Sequence, residues 1–189
     1  MIDFFRRQTE LAAYLVRSHL KSGDSAIDAT AGNGHDTLMM AQCVGENGHV
    51  YAFDVQEEAI VQTRQLLEDN AVSDRVHLFC QGHETIGDNL LIQNDPVINA
   101  AMFNLGFLPG GDKQIKTKRS TTITALDSVL DILQENGIIT ICAYCHKSGL
   151  EEIEAIENWV QTLENTVDVY RIETINHQFA PKLYLIRKK

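Results

Sequence analysis

Apolar residues follow two spacings along the chain, and segments with the two spacings alternate. Short apolar runs rich in Ile, Val, Phe and Ala predict buried strands, whereas apolar residues three or four positions apart predict amphipathic helices. The predicted strands cover residues 25–30, 49–54, 76–80, 98–104, 138–144, 167–175 and 182–187. The predicted helices cover residues 3–20, 35–44, 57–70, 85–91, 121–135 and 150–164. Glycine-containing turns such as residues 21–24 and 45–48 separate them.

The order of these elements predicts an α/β fold. Helices and strands alternate as far as the fifth strand, which indicates a mostly parallel sheet with right-handed crossovers and helices on both faces. The last two strands are joined by too short a connection for a crossover helix, so we expect an antiparallel strand at the C-terminal end. The prediction is a Rossmann-like, seven-stranded sheet in one domain over residues 1–189, with the N-terminal helix included.

The first predicted strand ends in a turn of small residues. It reads Asp28-Ala29-Thr30-Ala31-Gly32-Asn33-Gly34, and a helix begins near His35. A strand, a tight turn and a helix N-terminus in this order form the place where an α/β sheet receives a nucleotide-like ligand. Asp54 closes the next strand, at a spacing suited to accepting hydrogen bonds from both hydroxyls of a ribose.

The details of this turn favour S-adenosylmethionine over a dinucleotide. The third glycine of the dinucleotide pattern is missing, and S-adenosylmethionine has an ammonium group that a strand-end carboxylate such as Asp28 suits. Gln56 is placed to touch the ribose or the adenine edge, and Gly82 and His83 would border the adenine at the end of the third strand. The alternative for Asp28 and Asp54 is capping or loop solvation.

Charge narrows the range of partners. The 189 residues include 26 acidic and 16 basic side chains, and the net charge of −10 argues against a broad nucleic-acid-binding surface. A local basic cluster is nevertheless present in the segment after the fourth strand, formed by Lys113, Lys116, Lys118 and Arg119. We interpret it as an RNA phosphate-binding loop, the alternative being a solvated charged loop.

Two further patterns bear on location and metal binding. No apolar run approaches the roughly 20 residues of a membrane span, and the N-terminus lacks the order of a signal peptide, so a cytoplasmic protein is expected. Cys142 and Cys145 form a C-x-x-C pair, but no second ligand pair is spaced for zinc. We therefore expect no metal site.

The fourth predicted strand ends at Asn104, in the segment Ala101-Met102-Phe103-Asn104-Leu105-Gly106-Phe107. In methyltransferases that act on amines, this strand delivers the acceptor beside the methyl group. An Asn carbonyl there can accept a hydrogen bond from an amine N–H and direct the nitrogen lone pair toward the sulfonium methyl, and such alignment carries much of the rate. The alternative is a turn residue ahead of Gly106.

Four segments together resemble one family. They are the glycine turn with the residues that follow it (28–37), Phe53-Asp54-Val55-Gln56, His83-Glu84, and the stretch from Ala101 to Lys113. The chain is similar over nearly its whole length to the MnmM (YtqB-like) methyltransferases, and residues 104–113 are the most specific part. The resemblance implies a class I S-adenosylmethionine-dependent fold. It also implies N-methylation of 5-aminomethyl-(2-thio)uridine at the tRNA wobble position, giving the 5-methylaminomethyl form.

The resemblance also implies roles for individual residues. Asn104 and the segment Gly110-Gly111-Asp112-Lys113 would form the acceptor side. An alkyl amine is mostly protonated near neutral pH and must lose a proton before it attacks, and Asp112 and His146 are both candidates to receive it. The expected cofactor-binding set, from the residues and the resemblance together, is Asp28, Gly32, Asn33, His35, Asp36, Asp54, Gln56, Gly82 and His83.

One segment departs from the family pattern. The family tends toward Tyr-x-Gly-His-x-Gly-Gly after the fifth strand, and here residues 144–149 read Tyr-Cys-His-Lys-Ser-Gly, with Cys145 at the first glycine. The departure bears on the substrate if this loop shapes the acceptor pocket. The expected partner is tRNA, bound at its anticodon loop, and a homodimer is left open. The alternatives are methylation of rRNA or of a small amine, and a noncatalytic Rossmann-like binding protein.

Overall fold

The computed structural model describes residues 7–94, 97–106, 117–145, 149–177 and 179–189. The strands are β1 (Ser25–Asp28), β2 (His49–Asp54), β3 (Val76–Cys80), β4 (Ile98–Asn104), β5 (Leu133–Ala143), β6 (Val167–Ile172) and β7 (Lys182–Lys188). The α-helices are α1 (Gln8–His19), α2 (His35–Val44), α3 (Glu57–Asp69), α4 (Leu90–Asn94), α5 (Arg119–Ile132) and α6 (Leu150–Thr162). Short 3₁₀ turns cover Ser73–Arg75 and His83–Asp88.

The strands form one sheet in the order β3-β2-β1-β4-β5-β7-β6. Neighbouring strands from β3 to β5 are parallel, and β7 runs antiparallel between β5 and β6. The predicted fold class is confirmed, since the sheet has seven strands, is mostly parallel and has a reversed strand near its C-terminal end. The carboxyl ends of the parallel strands meet at one side of the sheet, which we call the carboxyl edge.

Alternate residues of the strands build a hydrophobic layer on each face of the sheet. Ala101 and Phe103 of β4 pack with Leu126 of α5 on one face, and Ala100 and Met102 pack with residues of α1 and α2 on the other. These side chains are at most 1% exposed. Burying a side chain the size of Phe or Met stabilises a fold by about 1.5–3 kcal/mol. The two layers therefore fix the position of β4, whose end lies at the carboxyl edge.

The structure corrects two details of the sequence prediction. The helix predicted to reach residue 135 ends at Ile132, because Leu133 joins the sheet beside Ile98 and is buried. Asn136, with φ of 64°, then turns the chain before the register resumes. The strand predicted over residues 167–175 ends earlier, at Ile172.

The helices of the described ranges have at most 14 residues, fewer than the roughly 20 of a membrane span. Not one of them combines the length and the apolar character that a membrane-crossing segment requires.

Candidate active site

The glycine turn lies at the carboxyl edge between β1 and α2, and the Asp28 side chain stabilises it from its buried side. Its carboxylate is fully buried and accepts hydrogen bonds from the Thr37 hydroxyl (2.6 Å) and the Thr30 backbone N–H (3.2 Å). Burial, reinforced by the nearby Asp36 carboxylate, raises the pKa of Asp28 to about 7. Because both oxygens are engaged inside the protein, this placement fits support of the turn better than the direct ammonium contact expected from sequence.

Asp54 ties the far side of the turn to β2. One carboxylate oxygen accepts the Gly32 N–H at 2.9 Å, and the other accepts the Gln56 N–H at 2.9 Å. Gly34 has φ of 80°, and a Cβ at this position would lie 2.8 Å from the Thr63 hydroxyl, so glycine is required there. Asp54 is partly exposed at the end of β2, and its carboxylate oxygens keep lone pairs for ribose hydroxyls.

Three carboxylates, from Asp28, Asp36 and Asp54, surround this turn. The charges of Asp36 and Asp54 both raise the pKa of Asp28, which places the three groups within one electrostatic neighbourhood. Burial also raises the pKa of Asp36. A negative potential concentrated at a partly buried turn favours a cationic ligand, and a sulfonium with an ammonium group fits that requirement.

His83 lies below the same edge, immediately after Gly82 at the start of a 3₁₀ turn. It is 6% exposed, packs edge-on against Phe103, and its Nδ1 lies 3.2 Å from the Ala29 carbonyl oxygen. Burial lowers the pKa of His83, so the ring is neutral and Nδ1–H donates to that carbonyl. Its Nε2 is then a buried acceptor without a partner among the described residues. This atom is available to accept a hydrogen bond from a ligand.

The other predicted cofactor residues are less uniform. Gln56 is buried at 8% exposure beside Asp54, and Asn33 lies half-buried within the turn. His35 is exposed at the first position of α2. The structure thus gathers the predicted set around one turn, with Asp28 and His35 as its most buried and most exposed members.

Asn104 is held at the end of β4 by two residues of the turn region. Its backbone N–H donates to the Thr30 hydroxyl at 2.8 Å, and its Nδ2 donates to Asp36 Oδ2 at 2.7 Å. An ionised carboxylate only accepts hydrogen bonds, so this contact fixes which side of the amide faces Asp36. The amide oxygen Oδ1 is buried and finds no partner within the described ranges.

A second hydrogen-bonded group, which we call the Glu152 clasp, lies just beyond Asn104. Gly106 N–H donates to the Thr117 hydroxyl, Thr117 N–H donates back to the Gly106 carbonyl, and both distances are 3.0 Å. The Thr117 hydroxyl in turn donates to Glu152 Oε2 at 2.9 Å, and Thr122 donates to the other oxygen at 3.0 Å. Glu152, 5% exposed on α6, thereby joins the chain segments on either side of residues 107–116.

Several predicted residues cannot be placed in this geometry. Asp112, His146, Lys113 and Lys116 lie outside the described residues. Lys118 and Arg119 are exposed where α5 begins, at the carboxyl edge. In the part of the chain that the structure describes, no cluster of His, Cys, Asp or Glu could hold a metal ion.

The C-x-x-C pair behaves as two separate thiols. Burial raises the pKa of Cys142 to about 12, which removes it from thiolate chemistry near neutral pH. Cys145 lies on the other side of the strand end and donates to the Ala180 carbonyl at 3.0 Å.

Sequence reasoning missed the threonines that organise the site. Thr30, Thr37 and Thr63 each use a hydroxyl to fix a turn or strand end. Thr30 carried a signal, because it stands in a turn otherwise built of small residues. Glu152 carried none, since a carboxylate on an amphipathic helix is ordinarily exposed.

Relatives agree with this geometry. A sheet of this topology, with acidic residues closing its first two strands around a glycine turn, defines a class I methyltransferase. The chain belongs to the family described as "Putative rRNA methylase", whose pattern matches residues 50–188. The family resemblance expected from sequence is confirmed.

Among the relatives is a tRNA (mnm(5)s(2)U34)-methyltransferase, chloroplastic, of Arabidopsis thaliana. It is 35% identical over 195 residues, which cover 97% of this chain and 70% of that protein. A crystal structure from Clostridium thermocellum, described as a "putative rRNA-methylase", is 36% identical with a TM-score of 0.92, covering 97% of this chain and 98% of that one. A Streptococcus mutans protein described as "a putative methyltransferase", crystallised with SAH, is 34% identical with a TM-score of 0.86, and each chain is covered completely.

Proposed function

We propose that this protein transfers a methyl group from S-adenosylmethionine to the amine of 5-aminomethyl-(2-thio)uridine at the tRNA wobble position. The observation that carries the proposal is the Asn104 amide, whose oxygen is buried without a partner in the described chain while its nitrogen is held by Asp36. A buried acceptor without a partner costs about 1–3 kcal/mol, and an amine N–H would satisfy it. The 35% identity to the plant tRNA methyltransferase supports the choice of substrate.

The donor set fits the cofactor. Three carboxylates favour a cationic ligand, Asp54 has lone pairs for a ribose, and His83 Nε2 is a buried acceptor with no partner in the described ranges. When bound, S-adenosylmethionine supplies a methyl group on a positively charged sulfur. Asp54, Gln56 and His83 would hold it, together with the turn residues Gly32 and Asn33.

The protein's own groups then act on the acceptor amine. Asn104 Oδ1 accepts a hydrogen bond from one N–H of the neutral amine, which fixes the direction of the nitrogen lone pair. Asp36 keeps the amide from rotating by accepting its Nδ2–H, and the Thr30 hydroxyl fixes the backbone of Asn104 by accepting its N–H. The protonated amine must give up a proton before it attacks, and Asp112 and His146 stay candidates to receive that proton.

The tRNA would approach from the carboxyl edge. Lys118 and Arg119 are exposed there, and with Lys113 and Lys116 they would contact phosphates of the anticodon stem. The acidic remainder of the protein would limit nonspecific RNA binding.

The test is the Asn104→Ala variant, assayed with tRNA that carries the unmethylated aminomethyl group and analysed by mass spectrometry of nucleosides. We expect the wild type to form the 5-methylaminomethyl nucleoside. The variant should be at least about tenfold slower, because losing the hydrogen bond and the alignment that it gives the reacting amine removes about 1.4 kcal/mol or more of transition-state stabilisation. Its affinity for S-adenosylmethionine should be unchanged.

A matched control lies on the same strand. Asn99 is at the opposite end of β4, where its side chain bonds Ser25 N–H and Gln134. Asn99→Ala should leave methyl transfer within about twofold. Methylation of rRNA or of a free amine in place of tRNA by the wild type would contradict the proposal, and full activity of Asn104→Ala would contradict the mechanism.

A further inference from the structure

The loop between β6 and β7, described at residues 173–177 and 179–181, exposes two large apolar side chains. Ile175 is 93% exposed and Phe179 is 72% exposed. Contiguous exposed apolar surface commonly marks a binding site. Nothing in the proposed chemistry of Asn104 or of the glycine turn uses them.

Strand register places this loop beside the candidate active site. Asn104 pairs with Cys142 across β4 and β5, and Cys142 pairs with Leu183 across β5 and β7. Leu183 is therefore two strand spacings, about 10 Å, from Asn104. The loop that leads into β7 emerges at the carboxyl edge, close enough for nucleotides adjoining the methylated base to reach it.

Hydrogen bonds hold the loop in a defined shape on both sides. The Cys145 thiol donates to the Ala180 carbonyl at 3.0 Å, and Gln8 Nε2 of α1 donates to the Thr174 hydroxyl at 3.2 Å. Within the loop, His177 N–H donates to Thr174 O and Ala180 N–H donates to His177 O. A fixed loop can present Phe179 without an additional ordering cost on binding.

The chemistry around Phe179 suits RNA bases. Asn176 and His177 are exposed on the same loop, and Ile175 lines a groove of about 340 Å³ together with Arg7. Tyr144 is 38% exposed and lies beside Gly106, the residue two positions after Asn104. A Cβ added to Gly106 would lie 3.8 Å from a carbon of the Tyr144 ring. Aromatic rings with amide, imidazole and guanidinium groups are the side chains that recognise unstacked bases.

We propose that this loop binds the anticodon-loop nucleotides that flank the methylated base, with Phe179 as a stacking residue. The inference rests on the proposed tRNA activity. RNA is favoured over a second copy of this chain because the two apolar side chains stand among polar neighbours at the reaction edge. A stable dimer interface requires a continuous apolar centre within more than about 1,000 Å². A net charge of −10 also limits what phosphate contacts can contribute, which increases the share left to base contacts.

The experiment compares Phe179→Ala, Phe179→Leu and Phe179→Trp on undermodified tRNA and on the free 5-aminomethyluridine nucleoside. We expect the Ala and Leu variants to raise KM for tRNA about tenfold, with the Trp variant close to wild type, because stacking requires a ring. Rates on the nucleoside should not change, since it has no flanking bases. Val61→Ala, at a side chain 58% exposed on α3, is the control for loss of an exposed apolar group.

An unchanged KM for tRNA in Phe179→Ala would overturn the inference while leaving the proposed function intact. Equal losses on tRNA and nucleoside would also overturn it, as would light scattering that shows a wild-type dimer becoming monomeric in Phe179→Ala. Wild-type protein that methylates neither substrate would instead refute the proposed function, and this inference with it.

Discussion

Replacing Asp36 by Asn tests whether this carboxylate orients Asn104 or binds the cofactor. In the wild type, Asp36 Oδ2 accepts from Asn104 Nδ2 at 2.7 Å, so the amide oxygen points away from Asp36. An Asn side chain at position 36 can donate as well as accept. The Asn104 amide would then have two allowed orientations, and in one of them it presents its N–H₂ to the substrate.

The size of the effect follows from the hydrogen bond that changes. A hydrogen bond to a charged partner contributes about 1.5–3 kcal/mol, and a neutral one about 0.5–1.5 kcal/mol. Asp36→Asn loses the difference between these two hydrogen-bond energies and divides the Asn104 amide between two orientations. Together these effects correspond to a decrease in kcat of about ten- to thirtyfold. Stability should not fall, because burial already raises the pKa of Asp36 and the substitution removes that buried charge.

Asp54→Asn is the matched control, because it makes the same chemical change on the other side of the turn. Asp54 accepts hydrogen bonds from Gly32 N–H and Gln56 N–H and, among the described residues, does not bond Asn104. Its variant should raise the Kd for S-adenosylmethionine at least about tenfold, as expected for loss of a ribose-binding carboxylate. At saturating cofactor its kcat should stay within about threefold of wild type.

The assay is steady-state methyl transfer to tRNA at several cofactor concentrations, with cofactor binding measured by calorimetry and folding by thermal denaturation. We expect Asp36→Asn to lower kcat and Asp54→Asn to raise the Kd for S-adenosylmethionine. If Asp36→Asn instead weakens cofactor binding tenfold and keeps kcat, Asp36 is a cofactor ligand and the orienting role is refuted.

Two further predictions concern pH and salt. The pKa of Asp28 is raised from 3.8 to about 7, so the folded protein keeps a proton that the unfolded chain releases, and stability falls as pH rises through that window. In urea denaturation, the free energy of unfolding of Asp28→Asn should not show that fall. Relative to wild type it should therefore gain about 3 kcal/mol between pH 5 and pH 8. Parallel pH profiles of the two proteins would contradict this prediction. Replacing Lys118 and Arg119 together by Ala should weaken tRNA binding and flatten its salt dependence by about two units of slope, and an unchanged slope would exclude phosphate contacts.

The sequence was sufficient for the sheet and for the residues at its carboxyl edge. Period-two and period-3.6 spacing depend only on which side chains must be buried, so β2, β3 and β4 begin and end where predicted. Acidic residues and Asn104 at strand ends stood out because each interrupts an apolar run.

Other features could not be predicted because they depend on distant parts of the chain. Leu133 leaves the predicted helix since Ile98, far away in sequence, offers it a place in the sheet. The hydrogen bond between Asp36 and Asn104 joins residues 68 positions apart, and no local pattern marks it. The burial of Asp28 likewise follows from the packing of the turn over its carboxylate, which periodicity does not report.

The Glu152 clasp has a consequence for how the family can diversify. Because Gly106 and Thr117 bond each other directly, the two ends of the intervening ten-residue segment are already closed. Lengthening a closed segment costs little, since each doubling of its length adds only about 0.6 kcal/mol of closure entropy. Changes of length within residues 107–116 therefore cost the fold little and leave Asn104 in register with the turn. Family members can thus differ in the length of this segment while the position of Asn104 is kept.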